Sequence, residues 1–154
     1  MPEHDFSRLP KRAEPQRVPK PVEGEPGLFV VDATWGEIAP MSLHPRVRTL
    51  GELEVIEHLR AGGRAVDTRQ RDYVEEAGTL PGAVSIVHEE IVERRGEFDD
   101  GSSDVLFFCN GPLCTATPQA IERLLDDGFP PERILYYRGG THDWLTLGLP
   151  LSPP

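Results

Sequence analysis

The chain of 154 residues has few of the features that mark secreted or membrane-spanning proteins. It contains only two cysteines, Cys109 and Cys114, which excludes a disulfide-stabilised scaffold. No apolar run is long enough to cross a bilayer, and no apolar stretch follows the first charges as a secretory signal requires. We therefore expect a cytoplasmic protein whose thiols are kept reduced and which binds no membrane.

Positive charge is also scarce. The chain has 16 lysines and arginines against 26 acidic residues, and its formal net charge is -10 at pH 7. Such a balance argues against nonspecific binding to nucleic acid and against an anionic membrane surface. An anionic substrate would therefore need a local positive site within a repelling field.

Composition divides the chain into three parts. Residues 1–27 contain six prolines and few large apolar side chains. This segment cannot bury enough surface to offset its ordering entropy, so we predict an extended or disordered Pro-rich, charged arm. Residues 28–151 are long enough to form a single domain with a real core, and residues 152–154 form a tail.

Short apolar runs alternate with helical patterns throughout the predicted domain. The clearest runs are Arg64–Asp67, Val105–Phe108 and Ile134–Tyr137. This alternation predicts an α/β fold with an open, mainly parallel sheet and helices on both faces.

The stretch from Val105 to Gly128 carries the strongest functional signal. A buried strand is predicted to end at Phe108, a loop follows, and a helix begins with Thr117 as its N-cap and Pro118 at its first position. Cys109 would therefore lie where loop amides and a helix dipole favour a thiolate. The alternative is that Cys109 is simply a small buried residue at the end of a core strand.

Polar residues follow two other predicted strands. Asp67 and Arg69 come at the end of one strand, and Arg138 follows another. Ligands of open parallel sheets bind beyond the carboxyl ends of the strands. We expect these side chains and Cys109 to meet at one edge of the sheet.

Three motifs, taken in chain order, resemble those of single-domain rhodaneses, a family of sulfurtransferases. The resemblance covers about Val47 to Leu151. The motifs are Val66-Asp67-Thr68-Arg69 with Tyr73 and the turn Gly78-Thr79-Leu80-Pro81-Gly82-Ala83, then Phe107-Phe108-Cys109, and finally Tyr137-Arg138-Gly139-Gly140 with Trp144 and Gly148-Leu149-Pro150.

The resemblance implies a rhodanese-like fold and a persulfide relay. Cys109 would attack the outer sulfur of a small donor, such as thiosulfate, mercaptopyruvate or a low-molecular-weight persulfide, and then pass that sulfur to a thiol or protein acceptor. No cofactor and no metal are implied. Asp67, Arg69 and Arg138 would support the site, and the loop residues would cradle the persulfide: Asn110, Gly111, Leu113, Cys114, Thr115 and Ala116.

The sequence departs from the family pattern at several positions. The loop has no lysine or arginine, which family members that favour thiosulfate often carry, so thiosulfate is uncertain as the physiological donor. Arg138 could supply the charge or be a structural residue, whereas for Arg69 an ion pair with a carboxylate is the favoured interpretation. Thr79 replaces the usual histidine of the turn, at a position that we interpret as structural.

Cys114 leaves three interpretations open: a resolving thiol for Cys109, a weak S–H donor in the cradle, or a packing residue. The alternative functions are accordingly a thiol-disulfide redox or redox-sensing protein that uses both cysteines, and a non-catalytic binding module. A phosphatase is rejected because Phe108 precedes Cys109 and Thr115 stands where such a site needs an arginine.

Overall fold

The computed structural model describes residues 38–154 and, before them, residues 20–21, 23–24, 26 and 29–30. Most of the predicted arm and the start of the predicted domain therefore lie outside the described residues. Two short strands, β1 (Lys20–Pro21) and β2 (Phe29–Val30), pair antiparallel with each other.

Five further strands form one parallel sheet, and their order is β3-β7-β6-β4-β5. Their bounds are β3 (Arg48–Thr49), β4 (Arg64–Asp67), β5 (Val84–Ser85), β6 (Val105–Phe108) and β7 (Ile134–Tyr137). The three clearest strands predicted from the sequence are therefore confirmed, each with its predicted bounds.

Helices cover both faces of this sheet, as predicted. They are α1 (Glu52–Arg60), α2 (Arg71–Ala77), α3 (Ala116–Asp126) and α4 (Gly140–Thr146), with 3-10 turns at His88–Glu90, Arg95–Glu97 and Pro131–Arg133. Among the described residues, no helix has the length and apolar character that crossing a membrane requires.

The central strand β6 is buried on both faces because its side chains alternate between two cores. Phe107 packs with Ile121 and Leu124 of α3 on one face. Phe108 packs with Val55 of α1 and Trp144 of α4 on the other. All four residues of β6 are fully buried, so the strand holds the position of the residue that follows it.

The predicted cap of α3 is wrong by two residues. The helix begins at Ala116 with Thr115 as its N-cap, so Thr117 lies inside the first turn. The Thr117 hydroxyl lies 2.8 Å from the Thr68 hydroxyl, which follows β4, instead of capping its own helix. Pro118 falls at the third helical position, where its missing N–H still needs no intrahelical partner.

Candidate active site

The carboxyl ends of β4, β6 and β7 place Asp67, Cys109 and Arg138 at the same edge of the sheet. Phe108 is the last residue of β6, and its carbonyl accepts a hydrogen bond of 2.9 Å from the N–H of Thr68. Cys109 follows at once and is 3% exposed. The expected convergence of strand ends is therefore found, with the thiol buried at its centre.

The first turn of α4 orients the loop that follows Cys109. The N–H of Thr141 donates to the carbonyl of Cys109 at 3.0 Å, and the N–H of His142 donates to the carbonyl of Asn110 at 2.8 Å. In a trans peptide the carbonyl and the next N–H point in opposite directions. Both carbonyls therefore point toward α4, and the N–H of Asn110 points away from it, toward the interior of the loop.

The two thiols lie together inside this loop. The Sγ of Cys109 lies 3.6 Å from the carbonyl oxygen of Cys114, and the two side chains are in hydrogen-bonding contact. The backbone N–H groups of Asn110 and Ala116 point at the Sγ of Cys114, whereas the N–H and hydroxyl of Thr117 point at the Sγ of Cys109. Each sulfur therefore has its own set of donors.

This arrangement separates the acidities of the two thiols. The hydrogen bond from Cys109, together with the N–H groups of Ala116 and Asn110, lowers the pKa of Cys114 to about 6. Burial, followed by the hydrogen bond to Cys114 and the negative charge on Cys114, raises the pKa of Cys109. We assign the first negative charge to Cys114, because it is the less buried thiol and accepts two amide hydrogen bonds.

Asp67 and Arg69 form a buried ion pair beneath the loop, which confirms the favoured interpretation of Arg69. Their closest contact is 2.7 Å, between Nη2 and Oδ2, and their side chains are 2% or less exposed. Arg69 also donates to the carbonyl of Gly78 at 2.7 Å, and the Thr79 hydroxyl donates to Asp67 at 2.7 Å. Thr79 therefore has the structural role predicted for it, and the charge of Arg69 is used within the fold.

Arg138 is half-buried and reaches a segment outside the part of the chain that resembles the family. Its Nε donates to the carbonyl of Ala39 at 2.9 Å. The N–H of Ala39 in turn donates to the carbonyl of Pro112, in the loop, at 2.7 Å. Ala39 thus links Arg138 to the cysteine loop, a contact that no sequence motif signalled.

The remaining predicted cradle residues differ in their placement. Gly111 is buried, and its carbonyl accepts a 3.0 Å hydrogen bond from the N–H of Cys114, which closes the turn between the two cysteines. Leu113 is half-buried. The Thr115 hydroxyl accepts a hydrogen bond from Gln119 within α3, so we assign it to the helix end rather than to the thiols.

Sequence reasoning missed two buried hydroxyl groups near the thiols, those of Thr68 and Tyr136, and interpreted a third, that of Thr117, as a helix cap. Thr68 bonds to both Thr117 and the carbonyl of Phe108. Tyr136 is buried in β7 and has electrostatic interactions with Cys109, Arg138 and Cys114; burial, the largest cause, raises its pKa. The positions of Thr68 and Tyr136 at strand ends could have indicated them, because both lie at the edge where the site was expected.

Within the part of the chain that the structure describes, no three His, Cys, Asp or Glu side chains are grouped so that they could hold a metal ion.

Comparisons with known proteins agree with the observed fold. The family model described as "Rhodanese-like domain" matches residues 53–147. A thiosulfate sulfurtransferase from Pseudomonas aeruginosa is 28% identical, with a TM-score of 0.59 over 69% of this chain and 20% of that one. A rhodanese-related protein from Thermoplasma volcanium is 18% identical and supports the fold alone, with a TM-score of 0.56 over 70% of this chain and 99% of that one.

One curated relative is an HTH-type transcriptional regulator from Mycobacterium tuberculosis. It is 31% identical over 87 residues, which make up 56% of this chain and 36% of the regulator. The chain thus spans about a third of the length of this relative and a fifth of the length of the sulfurtransferase. Because the family model covers more than half of the chain and the fold agrees, the chain belongs to the rhodanese-like domain family.

Proposed function

We propose that this protein is a sulfurtransferase that carries sulfane sulfur as a persulfide on Cys109 and passes it to a thiol or another nucleophilic acceptor. The observation that carries the proposal is the position of Cys109. Its thiol is held at the end of a fully buried strand and faces the N–H and hydroxyl of Thr117 at the start of α3. A helix start of this kind stabilises an anionic sulfur.

The first half-reaction loads sulfur onto Cys109. The proton of Cys109 moves to the adjacent Cys114 thiolate, and the resulting Cys109 thiolate attacks the outer sulfur of the donor. The bond between that sulfur and the rest of the donor breaks, and the donor remainder leaves with the electron pair, as sulfite when thiosulfate is the donor. The persulfide charge is then stabilised by hydrogen-bond donors of the loop.

The second half-reaction removes the sulfur. An acceptor thiolate attacks the outer sulfur of the persulfide, the sulfur–sulfur bond breaks, and Cys109 leaves as a thiolate. Because Cys109 is 3% exposed in the resting protein, the acceptor reaches only the outer sulfur, which extends beyond the buried thiol. Such limited access to the persulfide favours small-molecule thiols or an extended segment of a partner protein as the acceptor.

Donor preference depends on the cations near the loop. The charge of Arg69 is used by Asp67, which leaves Arg138 as the cation proposed to meet an anionic donor. The reacting group of a persulfide carries one negative charge and that of thiosulfate carries two, so a single cation in a protein of net charge -10 suits the persulfide group better. We therefore expect low-molecular-weight persulfides to load Cys109 faster than thiosulfate.

The test is intact-protein mass spectrometry after brief anaerobic exposure to thiosulfate, 3-mercaptopyruvate or glutathione persulfide. Without Cys114 the proton of Cys109 must leave to solvent, so the Cys114→Ser variant should load more slowly than the parent, but when the exposure is prolonged it should still gain the mass of one sulfur atom from at least one donor. The matched control, with both Cys109→Ser and Cys114→Ser, should gain none. If no donor adds sulfur to the Cys114→Ser variant, the proposal is wrong.

A further inference from the structure

The cysteine pair has a geometry that a simple sulfur carrier does not need. Both cysteines are free thiols, and the turn from Gly111 to Cys114 folds the second back onto the first. The Sγ of Cys109 reaches the backbone of Cys114, 3.6 Å from its carbonyl oxygen, while the two side chains touch. Four residues separate the two cysteines, and the contact between their side chains meets the first requirement of a disulfide, that the two side chains face each other.

Building on the proposed function, we propose that Cys114 displaces the sulfane sulfur of the Cys109 persulfide as hydrosulfide and leaves a Cys109–Cys114 disulfide. The site would then act as a sulfane-sulfur reductase as well as a carrier. Its substrate class is a low-molecular-weight persulfide or polysulfide, and its product is hydrosulfide.

The step balances without any oxidant from outside. The persulfide is an anion at its outer sulfur, and Cys114 is then a neutral thiol that carries the proton taken from Cys109. The Cys114 sulfur forms a new bond to the Cys109 sulfur while the old sulfur–sulfur bond breaks. The outer sulfur leaves with the electron pair of that bond and takes up the proton from Cys114. The outer sulfur is thereby reduced and the Cys114 sulfur oxidised.

Attack on the inner sulfur is favoured by what Cys114 touches. Its side chain already contacts the Sγ of Cys109, the atom that becomes the inner sulfur of the persulfide. Attack at that atom expels the outer sulfur, whereas transfer of sulfur to Cys114 would require Cys114 to move onto the outer atom. Amides of Asn110 and Ala116 point at Cys114 and favour its thiolate character as the proton departs.

A disulfide product must be reduced before the next cycle. Because Cys109 is buried, an incoming thiolate cannot reach its sulfur. Cys114 is only half-buried, so its sulfur is the atom of the disulfide that the thiolate attacks. A protein dithiol is the class of reductant that suits this step, because its second thiol resolves the mixed disulfide without further reagents.

The experiment loads the full chain anaerobically with glutathione persulfide, removes the donor by gel filtration, and then follows hydrosulfide and intact mass together. We expect the parent protein to release one equivalent of hydrosulfide per chain and to lose the mass of two hydrogens. The Cys114→Ser and Cys114→Ala variants should keep the persulfide and release at least tenfold less hydrosulfide over the same time.

Three results would overturn the inference. One is a parent persulfide that lasts as long as that of the Cys114 variants. Another is a sulfur atom found on Cys114 in peptides of the loaded parent. The third is a loss of two hydrogens without an equal amount of hydrosulfide. Failure of the proposed function is a different result, since then the Cys114 variants would gain no sulfur even when the exposure is prolonged to offset the loss of Cys114 as the base.

Discussion

The Cα atom of Gly140 lies directly against the carbonyl of Cys109. A methyl group at position 140 would stand 2.3 Å from that oxygen, and the φ of Gly140 is +59°. This approach allows the N–H of Thr141 to hold the same carbonyl at 3.0 Å and so to orient the loop amides. The glycine at position 140 is thus explained by the site and not only by the turn after β7.

Gly140→Ala should therefore disturb both stability and sulfur loading. The positive φ alone costs about 1–3 kcal/mol of unfolding free energy, and relief of the clash must move the cysteine loop. Urea denaturation and the rate of persulfide formation on a Cys114→Ser background measure the two effects. Gly96→Ala is the matched control, because nothing lies within 4 Å of its added methyl group. Equal behaviour of the two variants would contradict the proposed packing.

Arg69→Met should strongly destabilise the fold. It leaves Asp67, which is 0% exposed, without its cation, and breaking a buried ion pair in this way costs about 3–5 kcal/mol. Arg71→Met removes a pair with Glu75 on the surface, where the Arg71 side chain is 81% exposed, and should change stability by about 0.5 kcal/mol or less. Urea denaturation of both variants checks the difference. A small effect at Arg69 would show that Asp67 finds another partner.

The thiol pair should give an unusual pH dependence of alkylation. Cys114, whose pKa is lowered to about 6, reacts as a thiolate, so the iodoacetamide rate should rise with pH up to about 6 and then level off. An ordinary thiol would still be rising by about tenfold per unit at pH 7, since its pKa is about 8.5. The measurement is the rate of modification of each cysteine between pH 4 and pH 9.

Two variants then test which cysteine carries the charge. Cys109→Ser keeps a hydroxyl that can donate to Cys114, so the transition at low pH should remain. Cys114→Ser leaves only the buried Cys109, whose pKa is raised by its burial, and the transition should move to higher pH. If Cys114→Ser keeps the transition near pH 6, the charge belongs to Cys109 instead.

Thr117→Val should slow sulfur loading more than it alters the fold. The substitution keeps the shape of the side chain but removes the hydroxyl that faces the Sγ of Cys109 and lies 2.8 Å from the Thr68 hydroxyl. One lost hydrogen bond to a charged group is worth about 1.5–3 kcal/mol, so the loading rate should fall by about tenfold or more. Thr117→Ser keeps the hydroxyl and should restore most of the rate. Equal loading rates for Thr117→Val and the parent would show that the Thr117 hydroxyl does not assist sulfur loading on Cys109.

The sequence by itself determined the three four-residue strands β4, β6 and β7 and the position of the central cysteine. The apolar run from Val105 to Phe108 leaves no solvated face, so it had to be a strand buried on both sides, and Cys109 had to follow it. The three motifs indicated the family by their resemblance to single-domain rhodaneses, and the parallel sheet implied that the residues at its strand ends share one edge. For Arg69 the sequence favoured an ion pair with a carboxylate, and the structure identified Asp67 as that partner.

Only the tertiary structure decided which partner each side chain at that edge of the sheet contacts. Helix α3 begins at Ala116 rather than after Thr117, because the Thr117 hydroxyl finds Thr68, a residue far away in the chain. Ala39 also bonds to residues far away in the chain: its N–H donates to the carbonyl of Pro112, and its carbonyl accepts a hydrogen bond from Arg138. The contact between Cys109 and Cys114 depends on the turn at Gly111 and on amides oriented by α4, and local propensity cannot encode such long-range contacts.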